Sequence, residues 1–334
     1  MHAALVGYGS IAREHVRALL ALRGSREHAD LQLYGVAGRL QESTEAFARE
    51  FGLTRATTEL DDLLADPAVD AVVICSPTEL HANQTARALR AGKHVLCEIP
   101  LATSLTETDQ LIALSKQVDR RLMVCHTQRY HPALREARRM VETGEIHPHA
   151  IVSRYLFLRR ENVNWVGRRR SWTDNLLWHH GCHAVDAALW LLGATEVEVT
   201  AQVALPGEDL GIPMDLTIAM RTPRDQIITV VMSYSSHLPI HDYLVIGEET
   251  TVLFADDTLR RPDGVLVPAG ETDPLSSGLA RQDADFFAAV RDGREPPISG
   301  HAVRPAMAAL QQAQEILDAR LHAAGPDARH PLLP

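Results

Sequence analysis

Lysine is nearly missing from this chain: Lys93 and Lys116 stand against 31 arginines. Guanidinium therefore carries almost all positive charge, so a single Arg says little about anion binding and only a local excess is informative. Positive charge is also outnumbered. The formal net charge of -10 excludes a global nucleic-acid surface and a surface for anionic membranes. No apolar run approaches the length that spans a bilayer. The opening residues MHAALVGYGSIA lack a charged segment followed by an apolar stretch and a cleavage signal, so they do not read as a secretory leader, and the expectation is a cytoplasmic protein. Cysteine is scarce too. Residues 75, 97, 125 and 182 form neither a CxxC pair nor a dense framework, and buried free thiols in a reducing compartment are the plain reading.

What is present is a long, ordinary globular composition, with 334 residues, 46% apolar and 23% charged, for which two domains are the better prior. Short apolar runs at 3–6, 31–37, 68–76, 94–98 and 121–126 alternate with helical patterns at 11–23, 41–51, 79–91, 104–119 and 132–143. Continuous rather than alternating apolar strands imply burial on both faces, the mark of a doubly wound parallel sheet of the Rossmann type. From about residue 145 the character changes to long β-like segments at 149–159, 195–204, 213–221, 226–236 and 241–254, interrupted by a helix around 175–192. The expected architecture is α/β, with a dinucleotide-binding domain at 1–126 and a substrate and oligomerisation domain at 127–322. The second is an α+β domain on a mostly antiparallel sheet, and its terminal helices (281–291 and 301–322) are candidates to pack back on the first. The stretch 260–280 reads as a loop and 323–334 as a loose tail.

Gly7-Tyr8-Gly9-Ser10-Ile11-Ala12 follows the first strand and opens the first helix. Gly7 permits a tight turn, Gly9 close approach of a pyrophosphate, and Ala12 a close helix–sheet contact, while the helix N-terminus supplies donors and a positive end. At the end of the second strand, where an NAD site usually places an acid, the chain reads Val36-Ala37-Gly38-Arg39. Arg39 with room made by Gly38 suits a ribose phosphate, so NADP is favoured with NAD as the alternative, against the plain option of an Arg on a surface loop. Cys75-Ser76-Pro77-Thr78 and Glu98-Ile99-Pro100 end later strands, whose carboxyl-end loops line the binding crevice.

Chemistry concentrates in RRRSWTDNLLWHHGCHAVDAALW, Arg168 to Trp190. On one helix His179 and His183 lie four apart, Asp186 follows one turn later, and His180 is rotated away. Histidines four apart can bind zinc, but no metal is expected, because neither an HExxH pattern nor a cysteine cluster accompanies them. Burying three imidazoles without a purpose is costly, whereas a dehydrogenase needs a base of near-neutral pKa to take a hydroxyl proton. His183 or His179 can serve, with Asp186 fixing the tautomer and His180 nearby. Arg159-Arg160 and Arg168-Arg169-Arg170 flank this stretch, a local excess suited to carboxylates and hence to a small anionic substrate; a solvated basic loop is the alternative. Trp172 and Trp178 can wall a planar substrate or belong to the core.

GYGSIA, CSPTELH, AGKHVLCEIP, HTQRYHP and GCHAVD together resemble the glucose–fructose oxidoreductase/inositol dehydrogenase-like family over nearly the whole chain. The resemblance implies a nicotinamide-dependent oxidoreductase, assembled as a homo-oligomer, a dimer being favoured, through the open sheet of its second domain. It places the catalytic histidine at His183 and the following acid at Asp186, adds His81 to the cofactor-lining turn, and brings Arg129 near substrate or cofactor. FLRRENVN with RRRSWTDNLLWHH is most similar to a branch that oxidises a ring-closed, carboxylated hemiacetal to a pyrone dicarboxylate with NADP. A sugar, sugar acid or cyclic dihydrodiol is the alternative substrate, and a cofactor-binding sensor or scaffold the non-enzyme one. Two departures stand out. Glu98-Ile99-Pro100 replaces the family's Glu-Lys-Pro, removing its lysine, and His179 stands where the family often has Asp.

Overall fold

The computed structural model describes residues 1–24, 26–163, 167, 169, 175–207, 210–270 and 278–325. By contact it divides into two units. The first holds Met1–Tyr130 and Thr272–Arg304; the second holds His131–Glu271 and Pro305–Pro334. The sequence reading places the boundary at 126 and names 281–291 as a candidate to pack back on the first domain. Helix α8 (Gly278–Arg291) does lie in the first unit, packed against α1 (Ser10–Arg23), with Gln282, Asp283, Phe286 and Phe287 among its buried residues.

The first unit is built on a six-stranded sheet in the order β3-β2-β1-β4-β5-β6. Its strands are β1 (His2–Val6), β2 (Gln32–Ala37), β3 (Arg55–Thr57), β4 (Ala71–Ile74), β5 (His94–Cys97) and β6 (Leu122–Val124), all paired in parallel. The central strands are buried almost to the last residue: Ala3, Leu5, Val72 and Leu96 are each 0% exposed. Helices α1, α2 (Gln41–Phe51), α3 (Leu60–Leu64), α4 (Thr78–Arg90) and α5 (Leu105–Gln117) provide the crossovers that parallel pairing requires. Strand order reverses between β1 and β4, the switch point at which such sheets bind ligands.

The second unit carries an eight-stranded sheet in the order β14-β13-β12-β11-β7-β10-β9-β8. The strands are β7 (Pro148–Leu158), β8 (Glu198–Val203), β9 (Asp215–Arg221), β10 (Ile227–Ser233), β11 (Ser235–Gly247), β12 (Thr251–Ala255), β13 (Thr258–Arg261) and β14 (Gly264–Val267). Pairing is antiparallel except for β7 with β10. Two expectations need correction. The segment 241–254 is not one strand, since Gly247 N donates to Thr250 O and folds it into the β11–β12 hairpin. The expected loop at 260–280 contains the β13–β14 hairpin, because its Pro262-Asp263-Gly264 is turn chemistry between two short strands.

Alternation selects the inward face of this sheet. Ile228, Val230 and Met232 of β10 are buried, and the next even position is the fully buried Tyr234. Tyr155 and Phe157 of β7 occupy the corresponding odd positions, and His241 is register-paired with Tyr155. Helix α6 (Pro132–Glu142) packs toward β12, β13 and β14, and α7 (Cys182–Leu192) toward β7 and β10. Helix α9 (Gly300–Ala324) completes the chain; it runs into the stretch expected to be loose, and 326–334 lie outside the described residues.

Candidate active site

In the β1–α1 turn the two glycines serve different ends. Gly7 has φ +107°, and a Cβ there would lie 2.7 Å from the Cys75 carbonyl oxygen, so the turn itself demands glycine. Gly9 caps α1 with φ -71° and has nothing within 4 Å of where a Cβ would stand. Space before a helix N-terminus, with its backbone donors, fits a dinucleotide pyrophosphate. Ala12 is 0% exposed, as a close helix–sheet contact requires. Tyr8, Ser10 and Ile11 are part-exposed around the turn. Gly38 does make room, but for protein: a Cβ there would collide with the Tyr8 ring and the Thr44 hydroxyl. Arg39 is exposed at the end of β2, and no ion pair engages it among the described residues.

Ser76, Pro77 and Thr78 follow β4 and are part-exposed, whereas Cys75 is buried. His81, grouped with them on sequence, is only 1% exposed. Its Nδ1 lies 2.8 Å from the Pro100 carbonyl oxygen and its Nε2 2.8 Å from that of Ser76. A neutral imidazole has one N–H, so two carbonyl partners call for the doubly protonated ring. Burial alone lowers its pKa, but the Cys97 side chain and the two carbonyls outweigh this and push it up to about 9. His81 thus staples the two turns together from beneath. Ile99 and Pro100, joined by a cis peptide bond, are buried, and Glu98 retains partial exposure.

Glu98 belongs to a buried group that the sequence reading missed. His15 of α1 is 0% exposed; its Nδ1 lies 2.8 Å from Asp283 Oδ2 of α8 and its Nε2 2.9 Å from Glu98 Oε1. Cys125 Sγ stands 4.0 Å from the same Nε2. The donor atoms of His15, Glu98 and Cys125 lie within 4.8 Å of one another, but an N···O approach of 2.9 Å is hydrogen-bond contact with a proton between.

In the second unit the helix expected around 175–192 is not uniform. Asn175 Oδ1 accepts from Leu177 N at 2.8 Å, a π-helical turn spans Leu177–Gly181, and α7 proper begins at Cys182. The wider turn corrects the simple four-residue spacing of His179 and His183 on one α-helical face, and such turns recur at functional sites. Gly181 sits close to Met232, whose Cε would lie 3.1 Å from a Cβ placed there. His179, His180 and His183 are half-buried and Asp186 is buried.

The rotated histidine, His180, sits in an aromatic cluster. Its Nδ1 lies 2.7 Å from the Tyr234 hydroxyl, and its ring sits against Tyr155, Phe157 and His179, with centroids at 4.5, 5.2 and 4.5 Å. On the same Tyr234 ring rests the Arg159 guanidinium, 4.9 Å from the centroid. Arg159 is buried, its N donates to Tyr234 O, and its Nη2 donates to Asn162 Oδ1 at 2.8 Å. Arg160 reaches the Tyr234 carbonyl at 3.4 Å. His241 stacks 4.6 Å from Tyr155, its pKa lowered by burial to about 4, so it is neutral.

Tyr234, Tyr155, Phe157, Asn162 and His241 were not among the sequence candidates, although the period-2 alternation of β7 and β10 pointed the rings of Tyr155, Phe157 and Tyr234 inward. The remaining candidates separate. Arg169 is highly exposed with Glu161 3.9 Å away. Arg168, Arg170 and Trp172 lie outside the described residues. Arg129, in the first unit, donates through Nη2 to the Ala302 carbonyl oxygen at 3.1 Å. Trp178 is a core residue, 4% exposed, with Nε1 donating to Gln314 at 2.8 Å.

Comparison with known proteins identifies the family and the fold. Residues 1–126 match an "Oxidoreductase family, NAD-binding Rossmann fold", and residues 132–266 match "Bacterial oxidoreductases, C-terminal". A 4-carboxy-2-hydroxymuconate-6-semialdehyde dehydrogenase of a Sphingobium species is 32% identical over 297 residues, 89% of this chain and 92% of that protein. The solved UDP-N-acetylglucosamine 3-dehydrogenase of Acidithiobacillus ferrooxidans superposes with a TM-score of 0.79 at 25% identity, covering 96% of this chain and 98% of that one. A levoglucosan dehydrogenase in complex with NADH shares the fold, with a TM-score of 0.83 at 19% identity, over 96% of this chain and 97% of its own. This chain belongs to the GFO/IDH/MocA oxidoreductase family, and it is an NAD(P)-dependent oxidoreductase with a Rossmann domain and a C-terminal oxidoreductase domain.

Proposed function

We propose that the protein oxidises the ring-closed hemiacetal of 4-carboxy-2-hydroxymuconate-6-semialdehyde to 2-pyrone-4,6-dicarboxylate with NADP, a step of protocatechuate and lignin-derived aromatic catabolism in the cytoplasm. The observation that carries this reading is the convergence of His180 and Arg159 on Tyr234, which sets proton-transfer groups beside a guanidinium suited to a carboxylate. Similarity to a dehydrogenase named for that substrate supports it. The bound nicotinamide supplies the hydride acceptor. His183 takes the hydroxyl proton of the hemiacetal carbon, assisted by His179 or His180, and Asp186 orients the imidazole. Arg159, Arg160 and the arginines at 168–170 hold the substrate carboxylates, Trp172 walls the flat ring, and Arg129 serves near substrate or cofactor. Gly7 to Ala12, Gly38, Arg39, Cys75 to Thr78, His81 and Glu98 to Pro100 form the cofactor-binding set.

Exposed Arg39, with no acid at the end of β2, supports NADP over NAD. In the sheet, Val152, Val231 and Leu244 are half-exposed opposite the inward face, which supports assembly as a homodimer. The second reading, a sugar or sugar-acid dehydrogenase, is favoured by the sugar substrates named for the structural relatives. Purified protein, NADP or NAD, and the enzymatically generated semialdehyde decide between them. Formation of the pyrone dicarboxylate with NADP preferred supports the first reading. Reduction of cofactor with inositol, glucose or levoglucosan, but not with the semialdehyde, transfers the assignment to the second. His183→Ala that stays within a few-fold of the parent turnover removes His183 from the role of base.

A further inference from the structure

Three ionisable side chains brought together from α1, the turn after β5, and α8 form a buried line: Asp283, His15, Glu98. They are 268 and 83 positions apart in sequence along the two contacts. Asp283 and His15 are 0% exposed, and Glu98 alone reaches the surface, at 15%. Both Glu98 oxygens are engaged within the fold: Oε1 faces His15, and Oε2 accepts from Ile99 N at 3.1 Å. The carboxylate is thus held back against the end of β5 rather than extended. Burying such groups is unfavourable unless each finds its partner. A neutral Asn or Leu at 283 and 15 would fill the same space, so the ionised line calls for a purpose beyond packing, and its one exit is Glu98.

We propose that His15 is a positioning residue for the cofactor site: clamped from behind by Asp283, it fixes the Glu98 carboxylate at the carboxyl end of β5, and dinucleotide affinity depends on that clamp. This rests on the reading that Glu98 lines the cofactor site. The charge state agrees with the geometry. Burial alone lowers the His15 pKa, but Asp283 and Glu98 outweigh it and raise it to about 10. The other titratable groups facing the line are Cys125, after β6, and Cys75, after β4. Burial together with the Glu98 and Asp283 charges pushes both thiols up, so they stay protonated and neutral. Burial pushes the Asp283 carboxyl up while the His15 imidazolium pulls it back down, so the protonated imidazole is the charge that both carboxyl groups face.

The test measures NADPH and NADH binding to the full-length protein by tryptophan fluorescence, from pH 6 to 9. The variants are His15→Gln, Glu98→Gln, their double variant and Asp283→Asn, each first checked for native thermal unfolding. Glu98→Gln is expected to weaken the tighter-binding cofactor about tenfold, His15→Gln to weaken it similarly with Glu98 intact, and the double variant to add nothing further. Asp283→Asn is expected to bind like the parent at pH 6 and lose affinity toward pH 9, since the imidazole then keeps one carboxylate partner instead of two. If Glu98→Gln weakens binding but His15→Gln stays within about twofold of the parent, the clamp is overturned and Glu98 keeps its cofactor role. If Glu98→Gln changes nothing, the cofactor role of Glu98 falls, and the clamp with it. Should His15→Gln not fold, the Asp283→Asn profile decides, and a pH-independent affinity overturns the proposal.

Discussion

At the scale of single residues, Tyr234 holds the second unit's candidate site together: its hydroxyl meets His180 and its ring carries the Arg159 guanidinium. Tyr234→Phe keeps the ring and removes one hydrogen bond. We expect kcat to fall about tenfold, the equivalent of roughly 1.4 kcal/mol, with the melting temperature almost unchanged; a melting-point collapse would recast Tyr234 as a core residue first. His81 predicts a pH dependence. Its folded pKa of about 9 lies above the ordinary value near 6.5, so its contribution is fully present below pH ~6.5 and is lost as pH rises through 9. The contribution is about 3 kcal/mol at its largest. Denaturant unfolding of the parent and His81→Gln across that window reads it as a difference that shrinks toward alkaline pH. A constant difference would mean the staple is not an imidazolium. The role of His81 could not be read from CSPTELH, because its partners Ser76 and Pro100 stand on two different turns.

At the scale of elements, the β1–α1 turn separates folding from binding. Gly7 is glycine for the backbone, whereas Gly9 faces open space, where we expect the cofactor. Gly7→Ala must adopt a left-handed conformation and push into the Cys75 carbonyl, which costs roughly 2–3 kcal/mol and shows as a lower melting temperature. Gly9→Val places its side chain in open space, so the melting temperature should hold while cofactor titration shows affinity down by about tenfold or more. Equal losses of stability in both variants would contradict this division. The histidine stretch is an element whose presence was plain and whose geometry was not. A run of apolar and histidine residues reads as helix, but the π-helical turn at Leu177–Gly181, where Gly181 lies close to Met232 of another element, is not announced by any local pattern. The alternation of β10, by contrast, extends visibly to Tyr234, and that signal was there to be used.

At the scale of the whole molecule, no helix among the described residues is long and apolar enough to cross a membrane, and the four cysteines are buried and unbridged. The half-exposed apolar positions of the eight-stranded sheet, Val152, Val231 and Leu244, lead to an expectation of self-association. Light scattering on the eluting peak of a size-exclusion column should return twice the 36.8 kDa chain mass, and Val231→Arg should shift it toward one. A parent protein that elutes with the mass of one chain at micromolar concentration would exclude the dimer.

What the sequence determined by itself follows from short-range rules. Continuous apolar strands alternating with helices specify a parallel sheet covered on both faces. Gly7, Gly9 and Ala12 mark its phosphate turn, and alternation after residue 145 specifies a sheet with one inward face. Each of these depends on neighbours within a few positions. Only the tertiary structure decided that Asp283, His15 and Glu98 share one buried line, and that His180 meets Tyr234 beside Arg159. Those contacts join residues up to 268 positions apart. Their partners are chosen by where whole elements pack and where buried charge can be neutralised, which no local pattern encodes.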